Sequence, residues 1–147
     1  MARRVFFSFH YGNDVWRANQ IRKLGVVVGQ AAAGFQDASL WEEAKTKGDA
    51  AVKKLINEGL EHTTVTVVLI GSRTRTRKWV DYEIKASEDR DNGLLGIYIH
   101  SLKDQFGQIS AKGEPPKRLV DGGYPIYNWD RAKFSDRVEA AAKAAGH

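Results

Sequence analysis

The feature that most limits the fold of this chain is a run of β-branched and apolar residues at positions 64–70. A strand that is apolar on both sides has both faces covered, which is typical of parallel sheets flanked by helices. A second run, at residues 94–99, has the same character. The two runs therefore predict buried strands of an α/β fold.

Strand and helix patterns alternate around these runs. Further strands are predicted at residues 5–9, 35–37 and 124–127, the last at a sheet edge where Pro125 is tolerated. Residues 25–29 enclose three valines and are predicted as a short extended segment. Residues 101–123 are predicted as a long loop, a kind of segment that is usually functional or mobile.

Helices are predicted where apolar residues recur every three to four positions after a capping residue. Helix starts are predicted at Asn13 or Asp14, at Ser39, at Asp49, at Trp79 and at Asp130. Ser39 and Glu42 form a capping-box pattern. The helix that starts at Trp79 is expected to end at Asn92-Gly93, a common C-terminal cap.

Strand–helix alternation predicts a mostly parallel sheet with helices on both faces and right-handed crossovers. Five strands predict a flavodoxin-like three-layer sandwich with the strand order 2-1-3-4-5, and 147 residues suit one domain, residues 1–147. Ligands of such sheets bind at the carboxyl ends of the strands, here between the first and third strands. The loops at residues 9–14 and 71–78 are expected to meet there.

Trp79 and Glu83 lie four residues apart at the start of the helix that follows the second of these loops. Residues at this spacing share one face of a helix, so an aromatic ring and a carboxylate are expected side by side near the ligand-binding rim. From the helix pattern alone, the favoured interpretation of Glu83 is a surface ion pair with Arg77 or Lys78. Trp79 is then explained by packing of the helix onto the sheet.

Composition excludes several kinds of site. The chain has no cysteine, which excludes a disulfide framework, a thiolate metal site and a cysteine nucleophile. Its histidines lack metal-ligand spacing, and no Gly-x-Gly-x-x-Gly motif follows a strand. We expect no metal site and no hydride-transfer site. The N-terminal apolar stretch is too short for a signal peptide and no run is long enough to span a membrane, so a cytoplasmic protein without a membrane partner is expected.

The formal net charge is +5, and the densest basic cluster is Arg73, Arg75, Arg77 and Lys78. A solvated loop is the favoured interpretation, a loop that contacts phosphate is the second, and a nucleic-acid surface is the third. Aromatic residues do not alternate with the cluster as they do in proteins that bind single strands. Nucleic acid is therefore not an expected partner.

Several stretches, taken in order, resemble bacterial TIR-like domains of the branch found in Thoeris antiphage defence. They are Val5-Phe6-Phe7-Ser8-Phe9 with Asn13-Asp14, Ala33-Gly34-Phe35-Gln36-Asp37 with Trp41-Glu42-Glu43, residues 64–71, Lys78-Trp79-Val80-Asp81-Tyr82-Glu83-Ile84, and residues 92–100. The resemblance covers most of residues 4–100 and is thinner afterwards. The loop after the predicted second strand lacks the proline-containing signature of receptor TIR domains.

The resemblance implies an enzyme that uses NAD as a substrate and not as a recycled cofactor. Catalytic TIR domains cleave the bond between nicotinamide and ribose with a glutamate in a Trp-x-x-x-Glu helix. Thoeris-type relatives form a cyclic ADP-ribose isomer, a diffusible product that activates a separate effector protein, and some relatives transfer ADP-ribose to another molecule. The alternative is a noncatalytic TIR-like module that signals by protein–protein assembly. The resemblance leaves open whether the chain forms a homo-oligomer.

Under this resemblance Glu83 is the predicted catalytic residue. The residues predicted to contact the substrate are Phe9, His10, Asn13, Asp14, Asp37 and Trp79. Phe9 would stack on nicotinamide or adenine, and His10 would hydrogen-bond to ribose or phosphate. The favoured interpretation of Asn13 and Asp14 is that they are helix caps, and contact with the substrate is the minority interpretation. Asp37 belongs to the segment that matches the mobile BB loop of TIR domains, and it is equally explained as a turn residue.

Overall fold

The computed structural model describes residues 3–32 and 38–147 of the chain. Within them, five strands form one sheet in the order β2-β1-β3-β4-β5, and each neighbouring pair is parallel. The strands are β1 (Arg4–Ser8), β2 (Val28–Gln30), β3 (Val65–Ile70), β4 (Gly93–Tyr98) and β5 (Ile126–Asn128). The predicted fold class and strand order are confirmed.

Six helices cover the sheet within the described residues. They are α1 (Tyr11–Lys23), α2 (Ala38–Lys47), α3 (Asp49–Leu60), α4 (Lys78–Asp89), α5 (Lys117–Asp121) and α6 (Phe134–Ala144). Alternate residues of β1 contact helices on opposite faces, as the two-residue period of a strand requires. Phe7 stacks on Phe134 of α6 with ring centroids 6.5 Å apart, whereas Ser8 hydrogen-bonds to Glu83 of α4.

The core is centred on β3, as its β-branched sequence predicts. All six residues of β3 are buried, because β1 and β4 pair with its two edges and helices cover its faces. The predicted apolar face of α3 is confirmed as well. Val52, Ile56 and Leu60 are buried, and Leu55 packs against the core from a half-buried position.

The second strand differs from its prediction. β2 is Val28–Gln30, which overlaps the segment predicted only as short and extended. Residues 35–37, predicted as the second strand, lie outside the described residues. The predicted loop at residues 101–123 contains helix α5, which Leu119 anchors in the core.

Several predicted helix ends were wrong. Helix α1 begins at Tyr11 with His10 at the N-cap, so neither Asn13 nor Asp14 is the cap. Helix α2 begins at Ala38, before the predicted cap Ser39. Asp130 accepts a hydrogen bond from the Ala132 backbone in a turn that precedes α6.

The end of helix α4 was also misassigned. The residue with positive φ is Asp91, at 60°, and Gly93 is already the first residue of β4. A Cβ at Gly93 would lie 2.3 Å from the Ala141 carbonyl oxygen, so this glycine allows α6 to approach the strand closely. Within residues 3–32 and 38–147, no helix has the length and apolar character needed to cross a bilayer.

Candidate active site

A cleft of about 380 Å³ opens beyond the carboxyl ends of β1 and β3, where the strand order reverses. Its walls come from the end of β1 and the start of α1, from helix α2, and from the loop that enters α4. The lining residues are Phe9, His10, Tyr11, Gly12, Trp41, Glu42, Lys45, Thr76, Arg77, Lys78, Trp79 and Val80. The cleft therefore lies at the predicted switch point, and it brings together three predicted substrate contacts, Phe9, His10 and Trp79.

Aromatic rings form a continuous series along the cleft. The ring centroids of Phe9 and Tyr11 are 4.5 Å apart, and those of Tyr11 and Trp41 are 4.9 Å apart with nearly parallel planes. Trp41 in turn meets Trp79 edge-to-face at 6.5 Å. Such surfaces offer flat apolar faces on which another aromatic ring can stack.

Positive charge surrounds the aromatic surface. Lys45, Arg77 and Lys78 line the cleft, and Lys78 Nζ lies 4.7 Å from the ring centroid of Trp79. Lys45 has a weak surface partner in Glu42 at 3.7 Å, and Lys78 pairs with Asp49 at 2.7 Å. Because three cations face one lining carboxylate, the mouth of the cleft attracts anionic groups such as phosphates.

His10 contributes a neutral imidazole to this surface. Burial lowers the pKa of His10, and the positive charges of Arg77, Arg73 and Lys45 lower it further. Its Nδ1 atom is buried and has no hydrogen-bond partner among residues 3–32 and 38–147. A neutral ring can accept as well as donate a hydrogen bond, so His10 can pair with a hydroxyl group of a ligand.

Glu83 lies behind the cleft wall, one helical turn after Trp79 and Val80. Its side chain is 2% exposed and is not among the lining residues. Ser8 Oγ donates a hydrogen bond to Glu83 Oε1 at 2.8 Å. Burial raises the pKa of Glu83 to about 8, and the hydrogen bond from Ser8 opposes that shift. The carboxyl group is therefore mostly protonated at neutral pH in this conformation.

The interpretation of Glu83 as a surface ion pair was wrong. Lys78 pairs with Asp49, and the Arg77 side chain donates to the Arg73 carbonyl oxygen at 3.2 Å. Within the described part of the chain, no cation pairs with Glu83. Trp79 does pack against the core as the structural interpretation predicts, but it also lines the cleft.

Asn13 and Asp14 lie in the first turn of α1 but do not line the cleft. Asp14 is fully buried and accepts hydrogen bonds from Asn13 Nδ2 at 2.9 Å and Thr74 Oγ1 at 3.4 Å. Arg17 Nη1 lies 3.7 Å from the same carboxylate. Burial raises the pKa of Asp14, while Asn13, Arg17 and Thr74 oppose the shift.

The basic loop before α4 divides between surface and cleft. Arg73 and Arg75 are exposed beside a smaller hollow of about 290 Å³, and Arg75 pairs with Glu114. Arg77 lines the main cleft. Asp37, the remaining predicted substrate contact, lies outside the described residues. No cluster of three or more His, Cys, Asp or Glu side chains is placed to hold a metal ion in the described part of the chain.

Tyr11, Trp41 and Lys45 are among the cleft residues that were absent from the predicted site. The spacing of Trp41 and Lys45 held a usable signal, because residues four apart share a helix face, as Trp79 and Glu83 do. The position of Trp41 depends on its contact with the Tyr11 ring at the start of α1, which the local pattern does not encode.

Comparison with known proteins gives two findings. The family described as "Thoeris protein ThsB, TIR-like domain" matches residues 6–104. A protein of Bacillus cereus (strain MSX-D12), named "Putative cyclic ADP-D-ribose synthase ThsB1", is 44% identical over 150 residues, which cover 96% of this chain and 78% of that protein. The cleft residues, Ser8 and Glu83 all lie within the range that the family matches.

Proposed function

This chain belongs to the family of the Thoeris protein ThsB TIR-like domain, and we propose that it cleaves NAD between nicotinamide and ribose and makes a cyclic ADP-ribose-type signal for antiphage defence. The observation that carries the proposal is a buried glutamate, Glu83, directly behind a cleft that is both aromatic and cationic. NAD is the substrate and is consumed.

The lining of the cleft suits the parts of NAD. The rings of Phe9, Tyr11 and Trp41 are buried in the cleft wall, and the half-buried ring of Trp79 is the aromatic group most open to packing against nicotinamide or adenine. Lys45 and Arg77 supply positive charge for the two phosphates. His10, held neutral, is suited to hydrogen-bond with a ribose hydroxyl.

One carboxylate is sufficient for this reaction. Most glycosidases need a second carboxyl group to protonate the leaving group, whereas nicotinamide in NAD is already a cationic pyridinium. When the bond from ribose C1′ to the pyridinium nitrogen breaks, its electron pair neutralises the ring and positive charge develops on the sugar. Glu83 stabilises that charge. It then accepts the proton released when a nucleophile of the ADP-ribose itself bonds to C1′.

The reaction needs Glu83 as a carboxylate that reaches the ribose. The pyridinium charge of NAD favours the ionised form of Glu83 and lowers its pKa. The wall formed by Phe9 and Trp79 has to shift for the carboxylate to meet the sugar. Closure of the wall over bound substrate then excludes water, which favours cyclisation over hydrolysis.

The product acts as a diffusible signal on a separate effector protein in the cytoplasm. The name of the Bacillus cereus relative supports the cyclic product. The effector and the cytoplasmic location follow from the resemblance to Thoeris proteins and stay predictions. The substrate-contact roles of Asn13, Asp14 and Asp37 stay predictions. A role of Asn13 or Asp14 would require movement of the first turn of α1, since neither residue lines the cleft.

The test is incubation of the protein with NAD, with nicotinamide quantified by chromatography and the nucleotide product identified by mass spectrometry. We expect Glu83→Gln to lower the rate of nicotinamide release by a factor of about 10²–10³, the usual effect of removing one electrostatic catalytic group. Asp81→Asn is the matched control, because Asp81 is exposed on the same helix and pairs with Arg118. It should retain the parent rate.

Two outcomes would contradict the proposal. Equal nicotinamide release by the parent and by Glu83→Gln would remove Glu83 from the chemistry. A folded parent that releases no nicotinamide, alone or in extracts of infected cells, would favour the noncatalytic assembly module instead. Circular dichroism and thermal unfolding of each variant separate loss of activity from loss of structure.

A further inference from the structure

Ser8 is a buried hydroxyl group at the point where the sheet meets the catalytic helix. It is the last residue of β1, it is fully buried, and its register partner on the central strand is Val68. Its Oγ donates to Glu83 Oε1, and no other side chain or backbone group of the described residues hydrogen-bonds to that carboxyl group. One hydroxyl therefore holds the carboxyl group in place.

We propose that Ser8 is a positioning residue for the reaction, whose hydroxyl holds Glu83 Oε1 and leaves Oε2 for the ribose of the substrate. This inference rests on the proposed function. Ser8 acts through Glu83 and is not itself placed to touch NAD, because the cleft lining begins at the next residue, Phe9.

The backbone around Ser8 makes the hydroxyl a rigid donor. Strand β1 pairs with β2 through Arg4, Val5 and Phe6, and with β3 from Val5 to Ser8, where Ser8 lies opposite Val68. A donor fixed on a paired strand inside the sheet needs no reorganisation when charge develops during the reaction, so it can orient a carboxylate at little energetic cost. Without this hydrogen bond the carboxyl group could rotate about its terminal torsion angle, because that angle has a broad distribution in glutamate.

The same hydrogen bond sets the protonation of Glu83. Burial favours the neutral acid, and the Ser8 hydroxyl favours the carboxylate, to which it donates. The charged groups on α4 and on the helices packed against it contact one another or a ring, and not the Glu83 carboxyl group. Their contacts are Asp49 with Lys78, Lys53 over the Tyr82 ring, Lys54 with Glu58, Asp81 and Glu88 with Arg118, Lys85 with Asp89, and Lys117 with Asp121. None of these groups contributes to the pKa shift of Glu83.

The experiment compares the pH dependence of kcat for nicotinamide release in the parent, Ser8→Ala and Ser8→Thr. Loss of the donor raises the pKa of Glu83, so Ser8→Ala should move the acidic limb of the profile up by about one pH unit and lower kcat at pH 7 about tenfold. KM should change less than twofold. Ser8→Thr keeps the hydroxyl, so the acidic limb of its pH profile should lie at the same pH as that of the parent.

Ser87→Ala is the matched control. Ser87 Oγ lies 2.7 Å from Thr66 Oγ1 and donates to the Glu83 backbone carbonyl oxygen at 2.7 Å, so it also joins a buried strand to α4, but it does not touch the Glu83 carboxyl group. Ser87→Ala should lose stability without moving the pH profile. Ser8→Cys adds less volume than Ser8→Thr and carries a weaker donor, so it should shift the acidic limb in the same direction as Ser8→Ala even if the alanine variant folds poorly.

The outcomes separate this inference from the proposed function. Activity that depends on Glu83, together with an acidic limb that is the same in Ser8→Ala and the parent, would overturn the role of Ser8 alone. Equal shifts in Ser8→Ala and Ser87→Ala would also overturn it, because the effect would then be general loosening of α4. A parent without NAD cleavage would overturn both. A shift in Ser8→Ala that Ser8→Thr reverses supports the inference.

Discussion

Two buried carboxyl groups lie at the same rim of the sheet, and they differ in their partners. Asp14 is fully buried and Glu83 is 2% exposed, and burial raises the pKa of both. Asp14 is surrounded by Asn13, Thr74 and the guanidinium of Arg17. Among the described residues, Glu83 has one neutral hydroxyl donor. The comparison teaches that burial raises the pKa of both carboxyl groups, whereas only Asp14 has a nearby cation to hold it as a carboxylate in the folded protein.

The partners of Asp14 connect three segments of the chain. Thr74 belongs to the loop after β3, and Arg17 also donates to the carbonyl oxygens of Leu102 and Gln108 in the loop after β4. Asp14 and Arg17 are themselves on α1. Their interactions therefore hold together the loops at the rim where the cleft opens. Among residues 3–32 and 38–147, the hydrogen bond of the Glu83 side chain connects only α4 and β1.

The largest expected effect comes from removing the cation beside Asp14. Arg17→Ala should lower the free energy of unfolding by about 3–5 kcal/mol, because it leaves a buried carboxylate unpaired and frees the loop after β4. Urea unfolding measures the change. Lys23→Ala, an exposed site on the same helix, should stay within about 0.5 kcal/mol of the parent. A loss below about 1 kcal/mol for Arg17→Ala would show that Asp14 does not need its cation.

A smaller effect is expected at Gly71, which packs against Asp14. A Cβ at Gly71 would lie 2.2 Å from Asp14 Oδ2, so Gly71→Ala should displace the carboxylate and cost about 1–3 kcal/mol in the free energy of unfolding. Gly12→Ala is the control, since its nearest neighbour is a His10 side-chain atom at 3.8 Å. That change should stabilise the helix by up to about 1 kcal/mol. Equal effects of the two substitutions would argue against close packing at Gly71.

A third effect, spread over several pH units, is the contribution of Glu83 to the pH dependence of stability. The folded state binds the Glu83 proton up to a pKa of about 8, whereas the unfolded chain releases it near 4.5. Stability should therefore fall as the pH rises through this window, by at most about 1.4 kcal/mol per pH unit for this group. Urea unfolding of the parent and of Glu83→Gln between pH 5 and 8 isolates the contribution of Glu83 to the free energy of unfolding, because the contribution of Asp14 is the same in both proteins. Parallel curves would mean that Glu83 titrates normally in the folded protein.

Local sequence patterns were sufficient for the buried strands β3 and β4 but not for the second strand or for several helix ends. The β-branched run of β3 and the apolar face of α3 were recognisable because burial on both faces, or on one helical face, leaves a periodic signature. Asn13 and Asp14 carried a strong cap signal that was misleading. Asp14 is turned inward by Arg17 and Thr74, and Thr74 is 60 residues away in the chain.

The amino-acid order was enough to specify the parallel sheet, its strand order and the shared helical face of Trp79 and Glu83, because these follow from short-range periodicity and from the chirality of strand crossovers. The surroundings of Glu83 depend on the folded chain. Ser8 is 75 residues from Glu83, and only the packing of α4 onto β1 brings the two side chains together and away from water. Desolvation arises from the whole fold, so no local motif could indicate that this glutamate has a pKa of about 8 and not an ion pair at the surface.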